Sequence, residues 1–361
     1  MVDPQPAPMR VAYTLEQCWH PVPGGTAVAA LRVADALRER RDVELHQVAG
    51  RHPKMPRAEY RPSGELAMLP LNRPLLYEAW TRLNWPKVES VIGEIDVAHA
   101  TTLVPCGTSV PLVVTVHDLA FLHDPGQFSR HGVRTMRRSL DALRARADRV
   151  VCSSLATLDD CRRVGIDDAR LRHVPLGVDV AVASDGDIER VRRRYRLPDE
   201  FVLFVGTLEP RKNLPRLVDA LADGPLPLVV AGAEGWGDRP DLDRPHVLPV
   251  GFVDADDLAA LYATATVFAY PSEREGFGLP VGEAMAQGAP VVTSRGTSTE
   301  EVAGGAAVLV DPFDITDIRR GVHEALDGRS ELADAGRARA ATLTWSATAE
   351  ATAAVYHELC R

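Results

Sequence analysis

A chain of 361 residues is long enough for two domains of ordinary size, and its 45% apolar content supports packed cores over extended disorder. The net charge of −9 argues against a nucleic-acid binder. That charge is uneven: residues 1–180 sum to +2 and residues 181–361 to −11, so the first half suits an anionic acceptor or membrane surface better. Cys18, Cys106, Cys152, Cys161 and Cys360 are odd in number and have no metal-ligand or redox spacing, as expected of a reducing cytoplasm. No apolar run approaches the ~18 residues of a membrane span, and residues 1–10 are Pro-rich without a signal-peptide core.

In chain order, residues 10–15 read as the first strand. A loop through Pro21, Pro23, Gly24 and Gly25 follows, and Val28, Leu31, Ala34 and Leu37 mark a helix over 26–40. Residues 43–48 form a second strand, 51–74 read as loop and short pieces, and 75–92 as a helix broken by Pro86. Residues 96–100 and 112–116 are strands with few polar residues, as in parallel sheets covered on both faces. A basic helix spans 130–147; it is either a solvated face or a membrane contact. Strand 149–153, a helix to about Val164 capped by Ser153 or Ser154, and strand 171–175 lead to a connector over 180–200 with a second arginine run.

Strands at 201–205, 226–231, 246–250, 267–270, 290–293 and 306–310 then alternate with helices at 213–222, 255–263, 280–288 and 314–326. Such alternation means a parallel sheet with helices on both faces, so the chain reads as two doubly wound α/β units in tandem. Residues 333–359 read as one Ala-rich helix with Trp345 near its middle.

The chemistry concentrates in residues 269–294. Gly276 and Gly278 allow a tight turn and close approach to a ligand, and Pro280 suits the first helical position. Val281, Ala284 and Met285 share a packed face, and Gly288 and Pro290 stop the helix. A helix start attracts phosphate. Glu275 and Glu283, with seven residues between them, are suited instead to sugar and ribose hydroxyls, so the stretch points to a nucleotide-sugar.

Gly206 and Thr207 follow the apolar strand, and Arg211 and Lys212 after them read as opening a helix, placed to neutralise a diphosphate. Phe252 and Val253, at a strand end, suit a base or are an ordinary strand end. In the first half, Gly24 and Gly25 can present N–H groups to phosphate or sugar, and His117-Asp118 ends a strand as a functional or a structural pair. Residues 232–237 lack dinucleotide-loop spacing, the Asp-x-Asp triplets lie in linkers or helix starts, and no metal site is expected.

The stretch from Glu275 to Glu283 resembles the Glu-x7-Glu signature of retaining GT-B glycosyltransferases of family four. Residues 206–213, ending Arg-Lys-Asn, look like that family's donor-phosphate loop, 174–179 like its connector, and Gly24-Gly25 like its first glycine loop. The resemblance implies a GT-B fold: two Rossmann-like domains facing across a cleft, divided as 1–182 and 183–342, with helix 343–361 packing back on the first. It implies retaining, metal-independent transfer of a hexose from a nucleotide-diphosphate sugar, without a cofactor, to a glycan, lipid-linked or small-molecule acceptor. Glu283 would bind ribose, Glu275 the donor sugar, and Arg211 and Lys212 the diphosphate. The backbone around Gly276, Phe277, Gly278 and Leu279 would meet sugar or phosphate, and His117 the sugar near its reacting carbon. Thr207 departs from the family, where many members carry Arg. The Glu-Pro-Arg-Lys-Asn variant looks like bacterial surface-polysaccharide mannosyltransferases and suggests GDP-mannose. The expected setting is the cytoplasm, with the inner membrane face as a peripheral contact. A sugar-nucleotide epimerase of the same fold and a catalytically silent nucleotide-binding protein are the alternatives.

Overall fold

The computed structural model describes residues 7–233, 235 and 240–360. The chain divides into two compact units: Met1–Pro125, Ser129–Gly177 and Trp345–Arg361 form one; Gly126–Phe128 and Val178–Thr344 form the other.

The first unit carries β1 (Met9–Thr14), β2 (Val43–Ala49), β3 (Leu66–Met68), β4 (Val97–Ala100), β5 (Leu112–Val116), β6 (Arg149–Cys152) and β7 (Leu171–His173). All pair in parallel, in the order β3-β2-β1-β4-β5-β6-β7. The second carries β8 (Val202–Val205), β9 (Leu228–Ala231), β10 (Val247–Gly251), β11 (Val267–Tyr270), β12 (Val291–Ser294) and β13 (Val308–Val310). These are parallel too, in the order β10-β9-β8-β11-β12-β13. Every residue of β4, β5, β8, β9, β11 and β12 is buried, which is why these runs read as unbroken apolar stretches. In both sheets the strand order reverses beside the unit's first strand, at β1/β4 and β8/β11. A doubly wound sheet opens its ligand crevice there, beyond the carboxyl ends.

Several elements depart from the sequence reading. The connector over 180–200 contains a helix, Asp185–Tyr195, capped by Ser184. Its arginine run is not merely solvated: Arg190 and Arg194 both bind the buried Asp257 carboxylate, Arg194 at 2.7 Å. Residues 333–359 are not one helix but parts of two, Arg329–Ala340 and Trp345–Leu359. Thr342 N and Leu343 N bond three residues back, to Arg339 O (3.0 Å) and Ala340 O (2.9 Å), so the first helix tightens and ends there, and Trp345 opens the second. A short helix at Ser298–Ala303 had no expectation. On the basic helix, now Arg130–Arg146, two arginines are structural: Arg146 reaches Trp80 O (2.7 Å) and Arg138 pairs with Glu78. Cys152 and Cys161, unremarkable by spacing, lie buried with their sulfurs 3.7 Å apart.

Helix Trp345–Leu359 belongs to the first unit and packs on helix Gly24–Arg38. Tyr356, fully buried, sets its hydroxyl 2.6 Å from His99 Nδ1. Glu358 accepts from Arg149 (2.9 Å) and Arg172 (2.6 Å).

Candidate functional site

In the second unit, the loops after β8 and β11 come together at the switch point. The loop after β8 makes a single 3₁₀ turn at Pro210–Lys212, and Asn213 then adopts a left-handed conformation before helix Leu214–Leu221. Arg211 and Lys212 therefore precede the helix rather than open it, and it is Glu209 and Glu275 that offset their charge beside the positive helix end. Asn213 Nδ2 donates to Pro271 O (2.9 Å) and Glu273 N to Arg211 O (2.8 Å), stitching the two loops together.

Between them lies a buried charge cluster. Glu275 Oε2 accepts from Arg211 Nη1 at 2.8 Å, and Glu275 Oε1 lies 2.8 Å from Lys212 Nζ. Arg211 Nε donates to Glu209 (2.8 Å), and Tyr270 OH donates to Glu275 Oε1 (3.0 Å). Glu209, Lys212 and Glu275 are 6%, 7% and 9% exposed, so the arginine-lysine pair is not a solvated surface feature. Burial pushes the Glu275 carboxyl up, but Arg211 and Lys212 outweigh it and hold the group at about 2. Burial pushes the Lys212 ammonium below its ordinary value and the Glu209 carboxyl above its own. Two acids, Glu209 and Glu275, face two cations, Arg211 and Lys212.

Gly278, at φ +107°, turns the chain into helix Leu279–Ala286, and a Cβ there would meet Thr299 Cγ2 at 2.7 Å. Gly276 lies buried in the turn before it, and Phe277 and Leu279 bury their side chains and can offer only backbone. Glu283, half-buried on that helix, accepts from Tyr262 OH at 3.0 Å. Gly206 sits directly under Gly232, where a Cβ would lie 1.9 Å from Gly206 O. Thr207 follows in the same loop, its carbonyl accepting from Glu209 N. Phe252 is half exposed beyond β10, whereas Val253 is buried. Of the 232–237 stretch, Glu234, Trp236 and Gly237 lie outside the described residues.

In the first unit, Gly24 (φ +58°) and Gly25 open helix Gly24–Arg38. His117 follows β5, half-buried, its Nε2 3.3 Å from Thr101 O beyond β4. A carbonyl only accepts, so Nε2 carries the proton and Nδ1 is the open acceptor. Burial holds the ring below its usual value, against the pull of Asp118. Asp118 accepts from Ala120 N (3.0 Å); no His117–Asp118 hydrogen bond forms among the described residues.

Sequence reasoning passed over Glu209, Tyr270 and Tyr262. The available signal was their position, since Glu209 and Tyr270 are polar groups at or just beyond the carboxyl end of a parallel strand. It also missed Glu16, buried after β1, which accepts from Gly50 N (2.6 Å) and His52 Nε2 (2.9 Å).

Two family models divide the chain between them: Glycosyltransferase Family 4 matches residues 23–182 and Glycosyl transferases group 1 matches residues 187–341. The chain is a GT-B glycosyltransferase of family four. The O-antigen chain mannosyltransferase B of Escherichia coli is 28% identical over 374 residues, 93% of this glycosyltransferase and 96% of the relative. The serotype-specific mannosyltransferase WbdA of E. coli is 36% identical over 184 residues, 45% of this chain but only 22% of WbdA. Among solved structures, Anabaena HepE in complex with UDP and glucose superposes with TM-score 0.74 at 20% identity, covering 97% of this chain and all of that one. WaaG, a glycosyltransferase involved in lipopolysaccharide biosynthesis, superposes with TM-score 0.71 at 18% identity, covering 95% and 98%. The glycosyltransferase thus has mannosyltransferase relatives and a shared fold.

Proposed function

We propose that this glycosyltransferase moves a hexose, mannose from GDP-mannose, to a glycan, lipid-linked or small-molecule acceptor with retention of configuration and without a metal. The reading is carried by one observation: Arg211, Lys212 and Glu275 converge at the carboxyl ends of β8 and β11. A donor diphosphate replaces Glu275 on the two cations, and Glu275 turns to the sugar hydroxyls. Helix Leu279–Ala286 turns its positive end and the Leu279 N–H to the same anion, since Pro280 has no N–H and Val281 N donates to Gly278 O. Glu283 takes the ribose hydroxyls, and the backbone of Phe252 and Val253 takes the base. His117, neutral at pH 7, contacts the sugar. As Arg211 and Lys212 take up charge developing on the leaving diphosphate, the acceptor attacks from the same face and gives its proton to the leaving phosphate oxygen. No protein nucleophile is needed.

A thermal-shift panel of UDP-, GDP-, ADP- and TDP-sugars tests the donor. A true donor at 100 times its Kd stabilises the fold by about 2.7 kcal/mol, and a flat panel counts against the reading. Glu283→Ala is expected to weaken nucleotide binding about tenfold by calorimetry, the loss of hydrogen bonds to a charged acceptor; unchanged affinity removes Glu283 from the site.

We also propose that the enzyme works in the cytoplasm against an anionic membrane face. No helix among the described residues is long and apolar enough to cross a membrane. Arg130, Arg134 and Arg137 are exposed on the basic helix without an acidic partner among the described residues. The helix that packs against it, Arg73–Leu83, and the residues just beyond expose Leu75 (59%), Leu83 (71%) and Trp85 (52%). Replacing the three arginines with Glu is expected to lower co-sedimentation with phosphatidylglycerol vesicles about a hundredfold, at roughly 1 kcal/mol for each basic residue lost. Equal sedimentation of both proteins rejects this contact.

A further inference from the structure

Tyr270 has no role in the donor reading, yet it sits at the centre of the charge cluster. It closes β11 and is fully buried. Its ring packs against Phe204 and Phe268, with centroids 5.8 and 5.7 Å away, and its carbonyl accepts from Thr293 Oγ1 at 3.0 Å. The hydroxyl is therefore a fixed point. It accepts from Lys212 Nζ and donates to Glu275 Oε1.

The charged groups facing Lys212 are Glu275, Arg211 and Glu209, and Glu209 is already bonded to Arg211. Glu275 serves Arg211, Lys212 and Tyr270 at once. It cannot keep all three and also bind sugar hydroxyls. When a donor diphosphate displaces Glu275, Tyr270 OH is the protein oxygen that stays on Lys212, and an ammonium buried to this depth loses its proton more readily the fewer oxygens hold it before the donor arrives. We propose that Tyr270 is a positioning residue for the donor: its fixed hydroxyl keeps the Lys212 ammonium charged and in place while Glu275 turns to the sugar. This rests on the donor reading above.

The test measures affinity for GDP, UDP, ADP and TDP by calorimetry from about pH 6 to about pH 10 on the whole chain. Wild type is expected to bind one of them, with affinity falling at the alkaline end as Lys212 loses its proton. In Tyr270→Phe, which keeps the ring and removes the hydroxyl, that fall is expected to begin about one pH unit lower, the value of one hydrogen bond to a charged group. A purely structural role would lower affinity equally at every pH. An unmoved alkaline limb overturns the role of Tyr270 and leaves the donor reading standing; wild type binding none of the four overturns both. Should Tyr270→Phe not fold, Glu275→Gln decides. With Tyr270 still holding Lys212, it is expected to lose transfer yet keep nucleoside-diphosphate affinity at neutral pH within about threefold, less than one hydrogen bond. A loss beyond tenfold overturns the proposal.

Discussion

Lys212→Ala is expected to lower sugar transfer by about a thousandfold, the scale of removing one preorganised charge stabiliser from a reacting site. Lys212 is 7% exposed and pairs with Glu275 at 2.8 Å, so no water-exposed neighbour can take its place. Arg211 does not compensate, because Glu209 and Arg274 O already direct its guanidinium. The same variant should move acid stability. Glu275 sits at about 2 against an ordinary 4.5, so its contribution to stability is fully present above 4.5 and is lost as pH falls toward 2. Without Lys212 burial weighs more against the carboxylate, its value rises, and the loss begins at higher pH. Single-turnover transfer and an acid-unfolding titration check both parts. Transfer within tenfold of wild type would remove Lys212 from the chemistry.

Tyr356→Ala is expected to destabilise the first unit by about 3–5 kcal/mol, the cost of truncating a fully buried aromatic. Tyr356 is 0% exposed, its ring meets His99 edge-on at 5.6 Å, and its hydroxyl is 2.6 Å from His99 Nδ1. Truncation opens a cavity and leaves a buried ring nitrogen unpaired. Tyr356→Phe removes only the second effect and should cost about 1–3 kcal/mol. Urea unfolding of both variants separates the terms. A cost below about 1 kcal/mol for the alanine would mean that the site collapses around the smaller side chain.

The strands over 201–205 and 267–270 were legible because burial on both faces demands unbroken apolar runs, and helix Leu279–Ala286 because Gly278 and Pro280 mark its start. The arginine run over 190–196 misled, since pattern alone cannot reveal that Asp257 waits 67 residues from Arg190. Composition puts Trp345 in mid-helix, because the backbone bonds that close the first helix at Arg339 and Ala340 are a matter of geometry.

By itself the sequence determined the parallel α/β class, the tandem of two units, and the presence of Glu275, Glu283, Arg211 and Lys212 on loops and helix starts, because these follow from local period and turn chemistry. Only the tertiary structure decided which of them meet. Strand order brings the loops after β8 and β11 together across 64 residues of chain, pairing Arg211 with Glu275, and leaves Glu283 with Tyr262. It also revealed the partners that no motif contains: Glu209 behind Arg211, Tyr270 beneath Lys212. Contacts of that kind are set by where a sheet reverses its order, and residue spacing carries no record of that.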